Sequence, residues 1–336
     1  MSPPGTETAR GIVQEILQRR GSALTLDEFH NAVNVTFHEF ESEVYDQGHR
    51  DMWLSLPAQL ELLADDILNG HSQLPAKLKV LDIGCGTGLA TDCLLKTALA
   101  KRIQSVTLLD TSPSMLRRAE ERSSHWEVPV TCTLGEADSM TGNGRYELIL
   151  TCSVLHHVLD LPAFFHTVRQ LQEENGVFLH LQDPNGDYLK DPELCRRMAE
   201  QSRRLFPEWV YRFTPSRIAG RLFREITGTQ DQDHISKTNR ALLAKGVISQ
   251  PLKVAELFAI TDLHADHGDG QGVSISATKA CMPDYELIST RSYAFFGPLW
   301  SQLPPHRKLA EEQLIAAKAP NGFHVAAAWK LSSSAA

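Results

Sequence analysis

The stretch Lys79-Val-Leu-Asp-Ile-Gly-Cys-Gly-Thr-Gly88 runs from a short apolar segment directly into three glycines at alternate positions. An apolar run without polar alternation suits a strand covered on both faces. Glycines at its carboxyl end let the backbone turn sharply and let a ligand approach it closely. In an open α/β sheet, ligands bind outside the carboxyl ends of the strands, so this turn marks a binding site as well as a fold.

Four further short runs follow: Ser105-Val-Thr-Leu-Leu-Asp110, Val128-Pro-Val-Thr-Cys132, Tyr146-Glu-Leu-Ile-Leu-Thr151 and Val177-Phe-Leu-His-Leu-Gln182. Helix signals separate them. Ser112-Pro113 is an N-cap followed by proline at the first helical position. Asp160 caps a segment expected to run to Asn175-Gly176. The alternation predicts a doubly wound, mostly parallel α/β sheet. Its remaining strands are expected at Tyr285-Glu-Leu-Ile-Ser-Thr290 and Phe323-His-Val-Ala-Ala-Ala-Trp329, around a helix over Arg307 to Ala317.

Four segments result. Residues 1–74 read as an N-terminal helical lid, 75–186 as the ligand-binding core, 187–251 as a helical insertion suited to capping a substrate, and 252–336 as the part completing a seven-stranded sheet. In the first segment Thr25-Leu-Asp-Glu28 reads as a capping box. Leu26, Phe29, Val33, Phe37, Phe40 and Val44 then fall on one helical face, with Asp27, Glu39, Glu41 and Glu43 on the outer one. A second helix is predicted from Pro57 to Leu68. The insertion carries Arg196, Arg197, Arg203, Arg204, Arg212, Arg217, Arg221 and Arg224, read as a solvated helix face.

The glycine spacing departs from the G-x-G-x-x-G of nicotinamide-binding folds, since Leu89 stands where the third glycine belongs. An aspartate, Asp82, also precedes Gly84 by two residues. Asp110 ends the second strand 22 residues after Gly88, and Gly135-Glu136-Ala137 follows the third. Together these motifs resemble class I, Rossmann-like methyltransferases that use S-adenosylmethionine (SAM). The likeness covers Leu78 to Gln182 well and Tyr285 to Trp329 more loosely. It implies cofactor contacts from Tyr45, Asp82, Gly84, Cys85, Gly86, Gly88, Asp110, Thr111, Met115, Glu136, Ala137 and Thr151. Asp82 suits the amino-acid end of SAM, Asp110 the ribose hydroxyls, and Glu136 and Ala137 the adenine. Tyr45, at the end of the acidic helix, suits a lid residue touching the cofactor.

The segment Leu150-Thr-Cys-Ser-Val-Leu-His-His-Val-Leu-Asp160 is similar to the small-molecule methyltransferases of ubiquinone and natural-product biosynthesis. No N/D-P-P-Y/F motif stands there, so a small-molecule acceptor is expected, O-methylation being favoured. His156 and His157 follow the fourth strand and Asp183 the fifth. If those strands are neighbours, the three converge beside the transferred methyl group. His156 oriented by Asp183 is then the favoured base, with His157 the alternative and structural packing a third reading. Asp262, His264, Asp266 and His267 carry metal-ligand chemistry, but sit among glycines and read as a polar loop; no metal is expected.

Composition narrows the rest. There are 33 basic and 41 acidic residues, and Met1 to Gly70 alone holds 12 acidic against 4 basic ones. No basic face is in view for nucleic acid. No apolar run reaches the roughly 18 residues of a membrane span, and the N-terminus shows no signal-peptide core. The six cysteines form no C-x-x-C pair, which favours reduced thiols and a cytoplasmic setting. A monomer or homodimer is expected. Two other functions remain open: a nicotinamide-dependent oxidoreductase, disfavoured by the glycine spacing, and a SAM-binding protein without catalysis.

Overall fold

The computed structural model describes residues 6–43, 45, 51–142, 144–187, 191–193, 195–197, 200, 232–264, 272–297 and 300–332. Asp266, His267 and the arginines from Arg203 to Arg224 lie outside them.

Seven strands form one sheet: β1 (Leu78–Ile83), β2 (Ile103–Asp110), β3 (Val130–Leu134), β4 (Tyr146–Cys152), β5 (Gln172–Pro184), β6 (Tyr285–Tyr293) and β7 (His324–Leu331). Their order is β3-β2-β1-β4-β5-β7-β6. Strands β1 to β5 pair in parallel, whereas β7 runs antiparallel to both β5 and β6. The chain direction of the sheet order reverses between β1 and β4, and that switch point is where α/β sheets bind ligands. Strand β3 begins two residues later than the sequence predicts. Pro129 has no N–H for the ladder, so only its carbonyl takes part, accepting from Val106 N at 2.9 Å.

Alternating side chains feed two cores. Val80, Val177, Leu179, Leu181, Ala326 and Ala328 face one layer, and Leu81, Phe178, Ala327 and Trp329 the other. On the first face lie α3 (Met52–Gly70), α4 (Leu89–Leu94) and α5 (Pro113–Ser123); on the second, α6 (Leu161–Leu171) and α9 (Ile275–Cys281). Helix α3 starts five residues before Pro57, which lies inside it. Met52, Leu56, Leu60, Leu63 and Ile67 are all buried along one face, and that burial outweighs the hydrogen bond Pro57 cannot make. Helix α6 stops at Leu171, four residues short of Asn175, because Gln172 already pairs with Tyr146 of β4. Helix α10 (Pro305–Ala316) starts at the proline preceding the expected position.

A third core is purely helical. It joins α1 (Thr6–Arg19) and α2 (Leu26–Glu41) to α7 (Gln232–Ala244) and α8 (Val254–Thr261). Thr25 and Glu28 form the capping box of α2. Phe29, Val33 and Phe37 of α2 are buried in this core. Both Arg19 and Arg20 pair with Glu256, tying α1 to α8. Helices α1 and α2 therefore share their core with helices from beyond β5, while α3 of the same N-terminal segment packs on the sheet.

Candidate active site

The glycine turn leaves β1 at the switch point. Gly84 and Gly86 have φ of +67° and +54°, the left-handed region that glycine enters without strain. A Cβ on Gly84 would stand 2.6 Å from Val154 Cγ2, so this glycine admits the turn after β4. A Cβ on Gly86 would meet nothing within 4 Å, so Gly86 is the one whose bare backbone faces open space. Gly88 precedes α4 and packs toward Ala119 of α5. The three glycines thus serve different neighbours. Cys85 between them is buried, and burial pushes its thiol pKa well up, so it is a packed, un-ionised side chain.

Asp82 is fully buried at the end of β1. Its Oδ2 accepts a 2.6 Å bond from the Thr91 hydroxyl, while Oδ1 has no partner among the described residues. Burial, reinforced by the Asp110 charge and opposed by Thr91, pushes its pKa up to about 7. Asp110 ends β2 with both oxygens engaged: Oδ2 accepts from Gly86 N and Oδ1 from Ser112 N, each at 2.8 Å. Burial raises its pKa too, against the pull of those N–H groups. Asp110 therefore shapes the glycine turn. Two buried carboxylates, one with an orphaned oxygen, beside an open glycine backbone make a cradle for a cationic ligand. The ammonium and sulfonium of SAM fit that cradle.

The other residues expected to contact the cofactor, Tyr45 apart, sit at or just past the carboxyl ends of β2, β3 and β4. Thr111 follows Asp110, Met115 is buried in the first turn of α5, and the Thr151 hydroxyl is buried at the end of β4 without a described partner. Glu136 and Ala137 follow β3, and Glu136 Oε1 accepts a 2.5 Å bond from Asn31 of α2. Tyr45 is half-buried beyond the end of α2. Asn31 was not legible as a site residue in the sequence. Its signal was the spacing of Asn31, Asn34 and His38 along one face of α2, away from Phe29, Val33 and Phe37.

The histidines sit on a single 3-10 turn, Leu155–His157, after β4. His156 is buried, and its Nδ1 lies 2.9 Å from Asp183 Oδ1, which also accepts the His156 backbone N–H at 3.2 Å. Asp183 owes its aim to a β-bulge. Between the pairs His180↔Ala327 and Asp183↔Val325, Leu181 and Gln182 of β5 oppose Ala326 alone. Gln182 has φ +66°, and Tyr293 and His324 hold its amide from β6 and β7.

His157 turns away. Its Nδ1 bonds the Thr261 carbonyl at the end of α8, and its ring meets His38 of α2 edge-on at 5.0 Å. Burial, together with His156 and His38, holds its pKa well below the ordinary histidine value, so its imidazole is neutral. Asp262, just past α8, lies 3.9 Å from His156 Nε2 and 3.8 Å from His157 Nδ1. His264 instead braces the turn: its N–H donates to the His156 carbonyl and its Nε2 to that of Val158, both at 3.0 Å. The loop read from sequence as one polar group is thus divided, with Asp262 facing the site and His264 behind it.

Among the described residues, no helix is long and apolar enough to cross a membrane. A family described as "Methyltransferase domain" matches residues 81–178. The ubiquinone biosynthesis O-methyltransferase of Methylobacterium nodulans is 28% identical over 129 residues, which is 36% of this chain and 50% of that one. A highly reducing polyketide synthase of Gibberella fujikuroi is 31% identical over 109 residues, 30% of this chain and 4% of its own length. The chain spans about half the length of the ubiquinone-biosynthesis relative. Among solved structures, the plantazolicin methyltransferase BpumL in complex with SAH aligns over 96% of this chain and 99% of its own, at 12% identity and a TM-score of 0.47. The match to the methyltransferase-domain family thus falls on the segment that holds the glycine turn and both carboxylates, within a sheet of order 3-2-1-4-5-7-6.

Proposed function

We propose that this chain transfers a methyl group from SAM to a hydroxyl of a small molecule. The observation that carries the reading is His156. Asp183 takes its Nδ1–H, which leaves the Nε2 lone pair directed away from Asp183, at the end of the strand next to the cofactor cradle.

The chemistry follows from that placement. The hydroxyl oxygen attacks the methyl carbon in line with the departing sulfur, forming a C–O bond as the C–S bond breaks. The hydroxyl proton passes to His156 Nε2, and Asp183 stabilises the imidazolium. The products are the methyl ether and S-adenosylhomocysteine. Because the sulfonium is already a good leaving group, alignment and exclusion of water supply most of the remaining catalysis. Asp82, the glycine turn and Asp110 hold the cofactor, with Thr111, Met115, Glu136, Ala137, Thr151 and Tyr45 around it. His157 positions the turn through Thr261. The O-methyltransferase names among the relatives support a hydroxyl acceptor, and the acidic balance of the chain supports a small molecule over nucleic acid.

The test has two steps. Calorimetry should show binding of SAM and S-adenosylhomocysteine and none of NAD or NADP. Incubation with methyl-labelled SAM and a small-molecule extract should then move the label into base-stable, ether-linked products. Binding of NAD would sink the cofactor assignment. SAM binding with no transfer to any fraction would leave a binding protein, and label on nitrogen would remove the hydroxyl.

A further inference from the structure

We propose that His156, His157 and Asp262 form a binding site for a divalent ion of the zinc class, and that this ion competes with the acceptor's proton for His156. One donor atom from each of the three residues lies within 4.8 Å of the other two. The competition, though not the ion site itself, rests on His156 being the base.

The donor set is two imidazoles and one carboxylate. That is one of the donor sets of catalytic zinc centres, which keep a fourth position open for water or substrate. Imidazole nitrogen favours zinc, cobalt, iron or nickel over magnesium or calcium, which prefer oxygen ligands. Outer partners are also in place. A ligating histidine commonly gives its second N–H to a carboxylate or a backbone carbonyl, which fixes the ring. His156 Nδ1 has Asp183 and His157 Nδ1 has the Thr261 carbonyl. His156 so fixed leaves Nε2 unprotonated, whereas the His157 atom nearest Asp262 is Nδ1, at 3.8 Å, so ligation there exchanges its bond to the Thr261 carbonyl for the ion.

The geometry is close to what an ion needs. His156 Nε2 is 3.9 Å from Asp262 Oδ1. With zinc–ligand bonds of roughly 2.0–2.1 Å, tetrahedral donors stand about 3.3 Å apart. Asp262 must therefore move inward by about half an ångström, a small torsional change for a residue just past a helix end. The side chains of His156, His157 and Asp262 are 9%, 23% and 21% exposed, so the site is sheltered yet reachable. An ion there occupies the lone pair that would accept the hydroxyl's proton. The two uses of His156 exclude each other.

The experiment uses the full chain stripped of metal by chelation and dialysis. Zinc is titrated by calorimetry, and cobalt by visible absorption as a reporter of coordination. One equivalent should bind, with the cobalt bands of a four-coordinate nitrogen–oxygen site. Asp262→Asn and His157→Ala should each weaken binding by about tenfold or more, and unchanged SAM affinity would certify their folding. Absence of saturable binding overturns the site, as does zinc affinity equal to wild type in both variants. In a second arm, saturating zinc should slow labelled methyl transfer into the small-molecule extract by about tenfold or more while SAM still binds. Zinc bound through the three residues without slowing transfer would overturn the competition and remove His156 as the base, while the ion site would stand.

Discussion

Replacing Asp82 by Asn should remove a pH dependence that the wild-type protein carries in its stability. Burial lifts this carboxyl from 3.8 to about 7. The folded protein therefore keeps a proton that the unfolded chain has already released, across the window from about pH 4 to pH 7. Stability from this group is highest below that window and falls as the pH climbs through it. Each pKa unit is worth about 1.36 kcal/mol, so the full loss is roughly 4 kcal/mol, and the part falling between pH 5 and pH 8 is about 2–3 kcal/mol. Asn cannot ionise, and its Oδ1 can keep the Thr91 hydroxyl bond. Its amide leaves a buried N–H unpaired at a cost of about 1–3 kcal/mol, but that cost does not vary with pH. The quantity to measure is the difference in unfolding free energy between pH 5 and pH 8, from urea titrations followed by tryptophan fluorescence. Wild type should lose about 2–3 kcal/mol more than the variant. Saturating SAM, by giving Oδ1 a cationic partner, should flatten the wild-type profile and leave that of the variant unchanged. Parallel wild-type and variant profiles would refute both the raised pKa and the need for a partner at Oδ1.

Four other substitutions probe the site. Asp110→Ala should weaken SAM binding by about 1.5–3 kcal/mol in calorimetry; because it also frees the Gly86 and Ser112 N–H groups, it should lower the unfolding midpoint as well. His156→Ala should lower kcat by roughly 10²–10⁴-fold with SAM affinity nearly unchanged, whereas His157→Ala should cost stability more than rate; the reverse pattern would transfer the base to His157. Gly84→Ala should destabilise the protein by about 1–3 kcal/mol in denaturant titrations, since its Cβ would crowd Val154 at 2.6 Å in a left-handed backbone. It should also slow methyl transfer by displacing the histidine turn.

The sheet and the glycine turn at its edge were legible in the sequence because their causes are local. Apolar runs such as Lys79 to Ile83 bury both faces wherever they are placed, and the three glycines, Asp82 and Asp110 sit at strand ends fixed by those runs. Cap chemistry at Thr25, Ser112 and Asp160 is likewise decided within four residues. Other features depended on partners distant in the chain. The order that sets β4 beside β5 brought His156 to Asp183, and a bulge in the pairing of β5 with β7 turned that carboxylate toward the imidazole. No pattern in the segment around Asp183 announces the bulge, because it exists only relative to Ala326 on another strand. Asn31 and His38 gained their places only when α2 buried its apolar face against α7 and α8, leaving Asn31 to reach Glu136 and His38 to meet His157. Asp262 joined the two histidines because α8 ends beside their turn, while His264, two residues on, was taken up by backbone carbonyls. Local periodicity and capping determine which elements form. Which side chains meet at an active site is decided by long-range packing, where a one-residue shift in register redirects every group on a strand.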